Sequence, residues 1–147
     1  MERYALTGTP GTGKTTISAL LQNDLISLSD YYEKFSDGKT KDGEWVVDIQ
    51  RLESSIESLE WEIAEGNFSH QLSIIDKVIV LRCDPAVLVN RLEERNYSSK
   101  KIRENLEAEA MGIIYSETVR NYGVENLIQL DTSKKTSTEC SIIISDY

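Results

Sequence analysis

The residues best suited to chemistry lie near the start of the chain, in Gly8-Thr9-Pro10-Gly11-Thr12-Gly13-Lys14-Thr15. They fit the pattern G-x-x-x-x-G-K-S/T. The apolar run Tyr4-Ala5-Leu6 precedes them and Thr16-Ile17-Ser18-Ala19-Leu20-Leu21 follows, so that strand, loop and helix succeed one another. The glycines let the backbone curl until successive N–H groups converge on a phosphate, and the new helix adds its positive end. Lys14 then offers a mobile ammonium to the β- and γ-phosphates of a triphosphate, and the Thr15 hydroxyl is placed to reach a magnesium ion. A glycine-rich turn that merely happened to precede a lysine would not require a strand before it and a helix after it.

The elements that must hold this loop read as strands alternating with helices, which predicts an α/β fold with a parallel sheet covered on both faces. After the first helix, Asp24 to Ser29 is apolar enough for a second strand, and Asp30-Tyr31-Tyr32-Glu33 starts a short helix. Phe35 to Gly43 is polar and rich in turn residues, and predicts a mobile surface loop. Asp48 is placed to cap a helix carrying Leu52, Ile56 and Leu59. Leu59, Trp61 and Ile63 alternate with acidic residues and predict a third strand ending at Glu65. Asp76 to Arg82 is a β-branched fourth strand, and Asp84-Pro85 opens a helix through Leu92. Ser98 or Ser99 can cap a long helix from about Lys100 to Asn121. Leu127 to Asp131 gives a fifth strand, and a last helix begins near Thr136 or Ser137.

A chain of 147 residues predicts one domain, 1–147. Sixteen Lys plus Arg against 25 Asp plus Glu give a net charge of -9, so the surface as a whole should repel nucleic acid and anionic membranes. An anionic nucleotide must therefore be drawn in by local positive charge, and Arg91, Arg95, Lys100 and Lys101 form the obvious cluster. The alternative for these four is a solvated helix end. Cys83 and Cys140 lack C-x-x-C spacing and suit buried apolar positions. With one histidine, His70, and no apolar stretch of membrane-spanning length, the expected setting is the cytoplasm.

A phosphate loop on the first of five strands leaves several functions open. No N-K-x-D tetrapeptide is present to read guanine, and the length disfavours large motor or transporter ATPases. Small-molecule kinases remain, including nucleoside monophosphate kinases and shikimate-type kinases, which transfer a γ-phosphoryl group under a closing lid.

Four blocks narrow the field: the glycine-rich loop through Thr16, Glu65-Gly66-Asn67-Phe68-Ser69-His70, Val78 to Asp84, and Arg91-Leu92-Glu93-Glu94-Arg95-Asn96-Tyr97-Ser98-Ser99-Lys100-Lys101-Ile102 with Asn105. In that order they resemble the adenylate kinase isoenzyme six family, small kinases linked to small-subunit ribosome maturation. The likeness covers almost the whole chain, and the R-L-x-x-R-x-Y-x-x-K-K block is its most discriminating part.

The resemblance implies a P-loop NTPase three-layer fold with a five-stranded parallel sheet, of the nucleoside monophosphate kinase type with a short lid at 95–101. It implies transfer of the ATP γ-phosphoryl group to AMP or a related monophosphate, with ATPase activity alongside. Gly11, Gly13, Lys14, Thr15 and Thr16 would hold the ATP phosphates and Mg2+, and Arg95 would be the lid arginine. Glu65, at the end of a strand beside the phosphate-loop strand, can hold magnesium-bound water or orient an attacking oxygen. Many family members have Asp-x-His where this chain has Glu65-Gly66-Asn67; His70 could take over part of that histidine's role or be structural. The monophosphate side falls in residues 30–58, with Asp30, Lys34, Asp48 and Arg51 as candidates, Lys34 or Arg51 supplying the cation. The resemblance also supports a rival reading, a nucleotide-dependent assembly ATPase that binds a basic ribosomal protein.

Overall fold

The computed structural model describes residues 2–147. The chain forms β1 (Tyr4–Gly8), α1 (Lys14–Ser18), β2 (Leu25–Ser27), β3 (Ser36–Lys39), β4 (Trp45–Val47), α2 (Ile49–Ile56) and β5 (Ile63–Glu65). It continues with β6 (Lys77–Arg82), α3 (Pro85–Glu94), α4 (Ser99–Met111), α5 (Ile113–Tyr122), β7 (Leu127–Asp131) and α6 (Ser137–Asp146).

Five strands make a parallel sheet in the order β2-β5-β1-β6-β7. The strand that feeds the glycine-rich loop therefore lies in the middle, where the order of connection reverses and the loops part to leave a crevice. Alternation along the strands separates two cores. Ala5, Ala64, Val78 and Val80 face Leu52, Ile56 and Trp61 on one side. On the other, Leu6, Ile63, Ile79 and Leu81 meet Ile17, Cys140 and Ile144. Beyond the carboxyl ends of the strands, Leu88 and Leu92 of α3 form a third cluster with Cys83, covered by Tyr97, Ile102 and Leu106. Both cysteines are buried free thiols.

Several expected caps are formed. Asp48 accepts the Arg51 N–H, Asp84 accepts that of Ala86 ahead of Pro85, and Ser98 accepts that of Lys101. Thr136 and Glu139 make a reciprocal capping box at α6.

Three expectations are corrected. The third strand is short, Ile63–Glu65, because Trp61 turns back to donate its indole N–H to Ile56 O at 2.8 Å and Arg3 covers its ring. Leu59 is thereby left exposed beyond the end of α2. The long helix from Lys100 to Asn121 is two helices broken at Gly112, whose φ of +63° is a left-handed conformation open to glycine. The polar loop from Phe35 contains an antiparallel hairpin, β3 with β4, in which Lys39 lies over the Trp45 ring opposite it. Smaller shifts are that a 3-10 turn begins at Leu28, ahead of Asp30, and that β2 is only Leu25–Ser27.

Candidate active site

The glycine-rich loop spans the gap between β1 and α1 and wraps around the Lys14 side chain. Lys14 Nζ donates to Gly8 O at 2.7 Å and Thr9 O at 3.1 Å. Gly11 and Gly13 both have positive φ. A Cβ at Gly11 would also stand 2.9 Å from Leu88 and 3.0 Å from Leu92, so only glycine lets α3 pack this close beneath the loop. Desolvation in this nest lowers the Lys14 ammonium to about 8, with Glu65 and Glu109 opposing the shift and Arg95 adding to it.

Two cavities flank the loop. The larger, about 710 Å³, opens between the loop, the end of β2, the turn after it and the end of β5. Lys14, Thr15, Asp30, Glu65 and Arg95 all line it. Asn67 and Tyr97, from two of the blocks that carry the resemblance, also face it, as do Ser27 and Tyr32, which no motif singled out. The second cavity, about 490 Å³, lies on the other side of the loop against Gly11, Gly13 and Thr16, with Arg91, Arg95 and Thr132 across from them. Arg95 lines both. Such a residue can touch a donor and an acceptor at once.

Glu65 is brought beside the loop by register, since it pairs with Leu6 of β1 on one side and Ser27 of β2 on the other. Its Oε2 accepts from Ser27 Oγ at 3.2 Å. Tyr32 donates to Asn67 Oδ1 at 3.0 Å and stacks on Phe68, and burial together with the Glu65 charge raises its phenol well above the ordinary range. Two oxygen donors, the Thr15 hydroxyl and the Glu65 carboxylate, share the larger cavity with Lys14. That set suits magnesium, which keeps much of its water and is shared with a nucleotide. Among the described residues no cluster of three or more metal-ligating side chains exists.

Arg95 ends α3, and Asn96 follows with φ +58°, which turns the chain sharply into α4. Four residues earlier, Arg91 has a different environment. It donates to Gly11 O at 3.2 Å, to Thr132 Oγ1 at 3.0 Å and to Thr132 O at 2.9 Å, tying the loop to the segment after β7. Thr132 in turn donates to Thr12 O at 2.7 Å. No motif in the sequence pointed to Thr132; its part comes only from the place of β7 beside β6.

The other expected acceptor residues do not line the larger cavity. Lys34 and Arg51 stand 5.5 and 5.7 Å from the Phe35 ring, and Arg51 borders a separate, shallow cavity. Asp48 is engaged as the cap of α2. His70 is buried away from both cavities, with Nδ1 at 2.8 Å from Thr7 Oγ1 and Nε2 at 3.0 Å from Glu117. It therefore lies apart from the cavity that Asn67 lines.

A parallel strand at the centre of the sheet that runs through a glycine-rich turn into a helix, with the turn closed around a lysine, defines a three-layer phosphate-loop fold. A family model described as "AAA domain" matches residues 5–112. A protein of Halobacterium salinarum named "Putative adenylate kinase" is 37% identical over 142 residues, covering 90% of this chain and 82% of that one. A protein of the same name from Pyrococcus abyssi is 40% identical over 142 residues, covering 92% and 77%. Another, from Methanocaldococcus jannaschii, is 37% identical over 145 residues, covering 86% and 81%. The chain belongs to the AAA-domain family, in the group that contains these three relatives. In fold it is similar to a deoxyadenosine kinase from M. mycoides solved with bound dATP, with a TM-score of 0.58 over 98% of each chain at 15% identity.

Proposed function

We propose that the protein is a nucleoside monophosphate kinase that transfers the γ-phosphoryl group of ATP to AMP. The observation that carries this reading is Arg95, which faces the cavities on both sides of the Lys14 loop. ATP places its phosphates along the loop at Gly11, Gly13, Lys14, Thr15 and Thr16, and AMP enters the larger cavity. A phosphate oxygen of AMP attacks the γ-phosphorus, the bond to the β,γ-bridging oxygen breaks, and two ADP result. Lys14 and Arg95 offset the charge that builds on the transferring group, while Asp30 meets the acceptor nucleoside. Thr15 and Glu65 would hold magnesium, which would supply further neutralisation of the phosphate oxygens. The turn of 95–101 acts as a short lid that excludes water.

The names of the relatives support the activity, and the resemblance of the sequence blocks to the isoenzyme six family supports a second part to it. We infer that ATP hydrolysis accompanies transfer and that the nucleotide state governs binding of a basic small-subunit ribosomal protein in the cytoplasm. The net charge of -9 suits such a partner. A coupled assay with and without AMP tests both. An AMP-dependent gain in ADP formation, towards two ADP per ATP consumed, supports the kinase, with slower AMP-independent hydrolysis beside it. Hydrolysis stimulated by a ribosomal protein with no gain from AMP would favour the assembly ATPase instead.

A further inference from the structure

A buried carboxylate outside both cavities reaches the phosphate loop from the helix that follows the lid turn. Glu109, on the last turn of α4, is only 3% exposed. Its Oε1 accepts from Thr9 Oγ1 at 2.7 Å, and its Oε2 accepts from Arg82 Nε at 2.7 Å and from the Cys83 N–H at 3.0 Å. A carboxylate only accepts, so the Thr9 hydroxyl must donate, which fixes the Thr9 side chain. Thr9 is equally buried, and its carbonyl oxygen receives Lys14 Nζ at 3.1 Å and Thr12 Oγ1 at 2.7 Å. Arg82 is itself oriented from the far side by Gln129, at 3.1 Å.

We propose that Glu109 is a positioning residue for the phosphate loop: braced by Arg82, it clamps Thr9 and so sets the carbonyl that holds the Lys14 ammonium. A buried ion pair is weak evidence for stability, since well-packed apolar residues of similar volume often do as well. A third bond, directed at the loop, is what an apolar replacement could not supply. The helix that carries Glu109 begins at Ser99, next to the lid turn, so one rigid rod links lid and loop. This inference rests on the reading that the loop binds ATP.

The test compares Thr9→Val, Thr9→Ser, Glu109→Gln and the Thr9→Val, Glu109→Gln double variant with wild type, by calorimetric titration of magnesium–ATP and by kcat and KM for ATP. Thr9→Val leaves the Arg82 pair intact. It should lower both ATP affinity and kcat/KM about tenfold, the scale of a lost bond to a charged group. Thr9→Ser keeps the hydroxyl that Glu109 accepts and should restore both to near wild type. Because the two residues act through one bond, the double variant should be no worse than Glu109→Gln. Additive losses, or a Thr9→Ser variant as impaired as Thr9→Val, would overturn the proposal. If Glu109→Gln fails to fold, Thr9→Val decides alone, and wild-type ATP affinity there sinks the idea. A wild type that binds ATP yet makes no ADP from AMP would refute the acceptor, while the Thr9→Val titration still judges the clamp.

Discussion

Lys100 Nζ lies 3.2 Å from Asp42 Oδ2, an ion pair that joins the start of α4 to the tip of the β3–β4 hairpin. A second pair, Lys101 with Glu44 at 3.7 Å, runs beside it. The start of α4, next to the lid turn, is therefore tied to the hairpin of the 30–58 region by two ion pairs. Lys100, Asp42 and Glu44 are exposed and Lys101 is half-buried; such pairs contribute about 0.2–1 kcal/mol each and weaken with salt. The double variant Asp42→Asn, Glu44→Gln should accordingly raise the KM for AMP by about twofold, and by no more than about thirtyfold. It should also flatten the dependence of that KM on sodium chloride between low and high salt. A salt profile identical to wild type would show that the pairs play no part in acceptor binding.

Lys14 makes two opposite predictions from one pKa. Its ordinary value is 10.5, and desolvation lowers it to about 8 in the folded protein. Between these values the unfolded chain binds more protons, so stability should rise as pH increases from about 8 towards 10.5. Activity runs the other way, because the ammonium is the form that meets phosphate. kcat/KM, which reports the free enzyme, should fall as pH passes about 8, while the limb in kcat lies higher because bound triphosphate favours the charged form. Lys14→Ala should remove nearly all turnover while the thermal transition persists. Parallel pH profiles and melting curves check all three statements.

Register and capping explain how much could be read ahead of the structure. The strand–loop–helix around Lys14 was legible because its glycines and lysine act over eight consecutive positions. Glu65 was legible because its strand had to lie beside β1. Local pattern failed where a distant residue decides. Trp61 alternates like a strand residue, yet its indole is claimed by Ile56 O and its face by Arg3. Gly112 leaves no mark in the pattern, because Ile113 and Ile114 keep the helical spacing across the break. Thr132 and Glu109 carry no motif, and their roles exist only after β6, β7 and α4 converge on the loop.

Arg91 and Arg95 are one helical turn apart, and their surroundings predict different failures. Arg95 faces both cavities and has no bond to the loop's carbonyls, so Arg95→Ala should leave folding nearly unchanged. It should lower kcat about a hundredfold, with a smaller change in the KM for ATP, as for loss of a group that stabilises developing charge. Arg91→Ala removes three bonds at Gly11 and Thr132, leaving part-buried carbonyls unpaired. A stability loss of about 2–3 kcal/mol is expected there, with denaturant titration as the measure. A raised KM with unchanged kcat in Arg95→Ala would remove it from the transfer step.

His70 should prove structural. Thr7 and His70 are both almost fully buried, and one neutral tautomer satisfies both ring nitrogens, with Nδ1 accepting from Thr7 and Nε2–H donating to Glu117. Burial lowers the imidazole below its usual 6.5 against the opposing pull of Glu117, so the folded ring resists protonation. In the unfolded chain it takes a proton near 6.5, and the protein should therefore lose stability as pH falls from there towards the lowered folded value. His70→Gln should cost about 2 kcal/mol through imperfectly replaced buried bonds and flatten the acid side of the stability profile. Turnover per folded molecule should stay within about twofold of wild type, because the ring lines neither cavity. A large fall in kcat with an unaltered melting transition would instead place this imidazole in the reaction.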